Sequence, residues 1–315
     1  MRLLLLLLLC LQSVFSMNLK PIETIKMQGA VIDLENIGDR LYIGTDAGKM
    51  SVYDITQNKI VKTITLEKIH DFMDDLMPPK IYSVDAMGDK ILLLSEGENG
   101  VKNLFIEDNG VLKKVLGKKD HLTMSKAKFI DKDHVFIGLL SNEVLLYDLK
   151  NKKIIYQEQL SQSKFSDFAL NEDKTKAVIA CESGINYLID TKTGKHIRTL
   201  EGANKDNVFK IAYKNGRVAT AGQDRIGAVY RVKDGSYIEF HAPFLIYSVG
   251  LNHDASLVAF AFNDNNDIAI FRTDSSQRVY TLIGQKSTMN TIIFYDKKTM
   301  FSSSDDKYIM KWRLK

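Results

Sequence analysis

Arg217-Val-Ala-Thr-Ala-Gly-Gln-Asp-Arg-Ile-Gly-Ala-Val-Tyr-Arg231 is two short apolar runs joined by a polar turn, and the second run ends on an aromatic–charged pair. Small and β-branched residues on either side of a turn read as paired β-strands. The first run recurs along the chain as Arg40-Leu41-Tyr-Ile-Gly-Thr45, Lys90-Ile91-Leu-Leu-Leu-Ser95, His134-Val135-Phe-Ile-Gly138 and Lys176-Ala177-Val-Ile-Ala180. After the quoted stretch come Leu257-Val258-Ala-Phe-Ala261 and Thr299-Met300-Phe-Ser-Ser303. From Leu41 through Ile91, Val135, Ala177, Val218 and Val258 to Met300, the steps are 50, 44, 42, 41, 40 and 42 residues.

A second landmark holds the register. Each run is followed by a large apolar residue and a charged one: Tyr53-Asp54, Ile106-Glu107, Tyr147-Asp148, Ile189-Asp190, Tyr230-Arg231, Phe271-Arg272 and Trp312-Arg313. The charged residue lies 13 positions after the anchor in five copies, 16 in the second and 14 in the sixth. Asp46-Ala-Gly48, Glu182-Ser-Gly184, Asn109-Gly110 and Asp234-Gly235 supply the turn chemistry of tight hairpins. Seven repeats of four short strands at this period describe an all-β, seven-bladed β-propeller. The seventh repeat has no fourth strand after Trp312, whereas Pro21-Ile-Glu-Thr-Ile25 matches one and precedes the first repeat. An N-terminal strand is therefore expected to close the last blade, removing an open edge.

The blades resemble WD40 repeats. Ser303-Ser-Asp-Asp-Lys-Tyr-Ile-Met-Lys-Trp312 follows that family's turn-to-Trp pattern, and Ala221 to Tyr230 does the same. The resemblance spans residues 17–315 and is degenerate: no Gly-His dipeptide occurs, Gly284-Gln285 stands in its place, and Trp312 is the only tryptophan. The family's buried hydrogen-bonded tetrad is thus mostly missing, and the blades are expected to rest on apolar packing instead.

Met1-Arg2, the apolar run Leu3–Leu11 and Val14-Phe-Ser16 read as a secretory signal peptide over residues 1–16. The run is too short to span a hydrocarbon core comfortably. Residues 17–315 are expected to form one propeller domain in the periplasm, with no membrane attachment after cleavage. Cys181 would then be the only cysteine, buried and inert in Ala177-Val-Ile-Ala-Cys181. The net charge of +4 is spread among interspersed lysines and acids, with no basic stripe for nucleic acid. Among exported propellers, the chain resembles the NapL-type accessory proteins of bacterial periplasmic nitrate reductase systems, in its size, its leader and its lysine-rich, proline-poor composition. That resemblance implies a non-catalytic partner role in the activity or maturation of the reductase catalytic subunit; a monomer without a cofactor is expected.

The alternative is a metal-dependent, lactonase-like hydrolase with an ion in its channel. The six histidines, His70, His121, His134, His196, His241 and His253, show no metal-ligand spacing. No nucleophile elbow or phosphate loop occurs. Asp54, Asp148 and Asp190 read as hairpin formers. One segment breaks the repeat, Lys68-Ile-His-Asp-Phe-Met-Asp-Asp-Leu-Met-Pro-Pro-Lys80, which holds the surplus of the long first step. Ile69, Phe72, Met73 and Leu76 have the spacing of a short amphipathic helix ended by Pro78-Pro79. It is either a lid packed on the ring or a docking element, with Phe72, Met73, Leu76 and Met77 as its contact residues.

Overall fold

The computed structural model describes residues 16–315, so the export signal expected over residues 1–16 lies, but for Ser16, outside the described residues. Seven antiparallel sheets follow one another along the chain. The first blade comprises Val31–Ile37, Arg40–Thr45, Lys49–Asp54 and Lys59–Thr65, counted from the inner strand outward. The second begins at Ile81, the third at Met124, the fourth at Phe165, the fifth at Val208, the sixth at Val249 and the seventh at Met289. Each inner strand contacts the next, and that of blade seven contacts that of blade one, which closes the ring.

The burial pattern follows from the ring. The second and third strands of a blade face neighbours on both sides, so they are buried almost continuously; Lys49–Asp54 and Glu143–Asp148 are examples. Outer strands such as Lys153–Gln159 stay exposed. Apolar side chains form seven separate clusters, one per seam. Leu92, Leu104, Phe129 and Tyr147 fill the seam between blades two and three, for instance, and Phe136, Phe165 and Phe168 that between three and four. Gly138 is needed at the latter seam, because a Cβ there would lie 2.6 Å from the Phe165 ring.

Closure occurs as expected: Glu23–Lys26 pairs antiparallel with Tyr308–Lys311 as the outer strand of blade seven. Met17–Leu19 adds something the sequence did not announce, a fifth strand running parallel to Arg278–Leu282 on the outer edge of blade six.

Apolar packing is not the whole account of the core. In blade seven the Trp312 indole N–H donates to Ser302 Oγ at 2.9 Å. Ser302 donates to Gln285 Oε1 at 2.8 Å, and the Gln285 amide donates to Ser304 Oγ at 2.5 Å. Blade five carries a second network, in which Thr220 donates to Asn204 Oδ1 at 2.6 Å and the Asn204 amide donates to Asp224 at 3.2 Å. Gln285 and Asn204 each pair an acceptor with a donor, so side chains other than histidine satisfy buried hydroxyls there.

The helix expected over Ile69–Leu76 is not formed. Ile69 and His70 instead pair with Met77 and Leu76 as a two-stranded hairpin. The Asp71 carboxylate accepts the backbone N–H of Met73 at 2.8 Å and of Asp75 at 2.9 Å, and Asp74 adopts a left-handed φ of 66°. An Asp-based turn satisfies those amides locally, whereas a two-turn helix must meet a costly nucleation step.

Candidate functional site

The hairpin grows from the connection between the outer strand of blade one and the inner strand of blade two. Connections of that kind all lie on one face of a propeller, because every blade runs in the same sense. The four residues expected to make contact are held together at its tip and second strand. Phe72 is 81% exposed and Met73 84%. Leu76 is also exposed, and Met77 is half-buried. Phe72 rests its ring edge over Gly100, where a Cβ would stand 3.3 Å from Cζ. Gly100 itself has φ of 76°, in a turn of blade two that leaves room for the ring. The tip is therefore propped against the ring while most of its apolar surface faces outward.

Two clefts flank this prop. One, of about 580 Å³, is walled by Glu67, Lys68, Ile69, Glu98, Phe105 and Lys118, among others. The other, of about 520 Å³, is walled by Gly100, Lys118, His121, Leu122, Thr123 and Leu140, among others. The tip carries Asp71, Asp74 and Asp75 beside the two large apolar side chains. His70 Nδ1 lies 2.9 Å from an Asp74 carboxylate oxygen. The Asp74 backbone carbonyl and carboxylate together raise the His70 pKa above its ordinary value.

An aromatic group on the same face was missed by sequence reasoning. Phe209, near the start of the inner strand of blade five, and Tyr247, in the connection that follows that blade, stack at 5.1 Å and 22°, and Phe244 lies 6.3 Å from Tyr247. Phe244 and Tyr247 belong to the connection between blades five and six, Ala242 to Ser248, where an apolar run without charge was the available signal.

The central channel holds charge, and much of it is paired. Asp33, Asp85 and Asp167 each accept a backbone N–H from the inner strand of the following blade: Val84 at 2.8 Å, Phe129 at 2.7 Å and Ile211 at 3.1 Å. Lys128 lies 2.5 Å from Glu35 and 3.8 Å from Asp33, and Lys126 lies 2.6 Å from Asp167. Facing carboxylates raise the Lys128 pKa against the opposing effect of burial, and the Lys126 ammonium lowers that of Asp167. Burial raises Asp85, whose nearest ammonium, Lys174, stands 3.6 Å away. Glu35, Asp85, Lys126, Lys128 and Lys174 line a cavity of about 530 Å³ at the channel end opposite the hairpin. Among the described residues, no three His, Cys, Asp or Glu side chains converge in a metal-holding group.

The hairpin aspartates behave as expected. Asp54 accepts N–H bonds from Thr56 and Gln57, Asp148 from Asn151, and Asp190 from Lys192 and Thr193. Their carboxylates are occupied by turns at the ends of the third strands. Cys181 is fully buried.

No protein-family model matches the chain, and no curated protein matches it either. Among solved structures it is similar to the β-propeller domain of Cps50 (Swd1) from Myceliophteria thermophila, at 14% sequence identity and a TM-score of 0.74, over 94% of this chain and 99% of that one. At that identity the likeness is one of architecture, and the chain is a seven-bladed β-propeller.

Proposed function

We propose that this propeller is a non-catalytic interaction ring that captures a protein partner on its hairpin face. The observation that carries the proposal is the pair Phe72 and Met73, large apolar side chains held out from a rigid scaffold where folding gains nothing from their exposure. Aromatic and Met side chains are favoured at the centres of interfaces. The finer role follows from the sequence resemblance: an exported accessory protein, active in the periplasm, that supports a nitrate reductase subunit. The test is capture of purified reductase subunit by the tagged protein. Replacing Phe72 and Met73 together by Ser is expected to weaken capture at least tenfold and leave the unfolding midpoint unchanged, since both side chains face solvent. Unchanged capture would make the hairpin a lid only. Metal analysis of the purified protein checks the alternative, because a stoichiometric ion would favour a hydrolase. N-terminal sequencing of the exported protein is expected to start at Met17.

A further inference from the structure

The hairpin has a charge that its surroundings do not require. The whole chain is net +4, yet Glu67 to Met77 contains Glu67, Asp71, Asp74 and Asp75 against one lysine, Lys68. Only part of that acidity serves the fold. Asp71 is used by the turn, and Asp74 lies beside His70. Asp75 and Glu67 make no side-chain hydrogen bond or ion pair among the described residues. The Asp74 side chain is 90% exposed. Nearby lysines are partly occupied, with Lys102 over the Tyr82 ring at 4.3 Å and Lys114 over Phe105 at 5.6 Å. The tip thus presents two apolar side chains set between carboxylates that protrude into solvent. The two clefts beside the hairpin border it at Glu67 and Ile69 and at Gly100, and Lys118 walls both of them away from the acidic tip.

We propose that this hairpin grips a basic amphipathic segment of a partner chain, whose apolar stripe lies on Phe72, Met73 and Leu76 while its flanking Lys or Arg side chains meet Asp74, Asp75 and Glu67. The assignment rests on the docking role above and adds the partner's chemistry to it. An apolar contact supplies the affinity, and charges of opposite sign set the choice of partner and the rate of encounter. An acidic or uncharged amphipathic segment would leave the carboxylates facing like charge or nothing.

The test uses the full chain and two fluorescein-labelled helical probes of equal length, one a leucine–lysine peptide and the other a leucine–glutamate peptide, read by fluorescence anisotropy. The leucine–lysine probe is expected to bind the unaltered protein at least tenfold more tightly than the leucine–glutamate probe, with affinity falling as salt is added. The double variant Asp74→Lys with Asp75→Lys is expected to reverse that preference. The double variant Phe72→Ser with Met73→Ser is expected to lose both probes. Circular dichroism confirms that each variant keeps the β-sheet spectrum. Equal binding of the two probes, or an unchanged preference in the lysine variant, would overturn the basic assignment. If Phe72→Ser with Met73→Ser still abolished that binding, the docking role would survive without it. If that variant bound both probes as the unaltered protein does, the docking role would fall as well.

Discussion

Lys128 shows how single residues hold the ring at its centre. It belongs to blade three, yet it bonds the Val84 carbonyl of blade two at 2.7 Å and the Glu35 carboxylate of blade one. One ammonium therefore ties three blades together. Replacing it with Met keeps an unbranched side chain out to Cε and leaves Asp33 and Glu35 without their cation. The expected cost is about 3–5 kcal/mol, the usual penalty for removing one partner of a buried pair. Urea unfolding followed by far-UV circular dichroism measures it, and a loss below about 1 kcal/mol would show that water replaces the ammonium. Some of this was open to reading in the chain. Val31-Ile-Asp-Leu-Glu35 and Met124-Ser-Lys-Ala-Lys128 place charges at every second position of otherwise apolar strands, which puts them on one strand face. Which acid meets which lysine was not readable, because the partners sit on strands about a repeat or more apart. The turn-forming roles of Asp54, Asp148 and Asp190 were readable, since a carboxylate and the amides two or three residues on are local chemistry.

At the level of elements, the outer strand of blade seven depends on Ile25. It is buried in the seam cluster with Met27, Leu34, Phe301 and Ile309, on a strand four residues long. Ile25→Asp puts an unpaired carboxylate into that cluster and is expected to detach the strand. The exposed edge of Tyr308–Arg313 should then drive association, seen as a concentration-dependent increase in light scattering. A variant that stays monomeric and folds like the unaltered chain would show that burial of Ile25 is not what holds the strand on that edge. This element was readable because the last repeat ended one strand short. The fifth strand on blade six was not, since parallel pairing of Met17–Leu19 leaves no turn signal between partners. The hairpin over Ile69–Met77 was read with the wrong period. Its apolar spacing fitted a helix, and the competing signal was the Asp-rich tip, where side-chain oxygens take the amides a helix needs.

For the whole molecule, acid should loosen the ring from the channel outward. Asp167 and Glu35 have folded pKa values lowered chiefly by ammonium groups, acting against burial. A carboxylate lowered in the folded state stabilises above its unfolded value, about 3.9 for Asp, and that contribution is lost as pH falls through the folded value. Asp85 acts the other way, because burial raises it and protonation favours the folded form. Lys128 is raised, so its contribution is complete below about pH 10 and lost only as alkali passes its folded value. The expected outcome is a broad plateau around neutral pH and a urea midpoint that drops between about pH 5 and pH 3. Trp312, fully buried and the only tryptophan, reports the transition by the red shift of its emission. A constant midpoint over that range would mean that the channel pairs add nothing net.

The strand Glu23–Lys26 leaves the ribosome early, yet its hydrogen-bonding partner Lys311 follows Glu23 by 288 positions. Six blades can stack on their neighbours, but the circle stays open until both ends of the ring have met. Completion of the fold is then set by a contact of very high sequence separation, which makes slow maturation a built-in property of this topology.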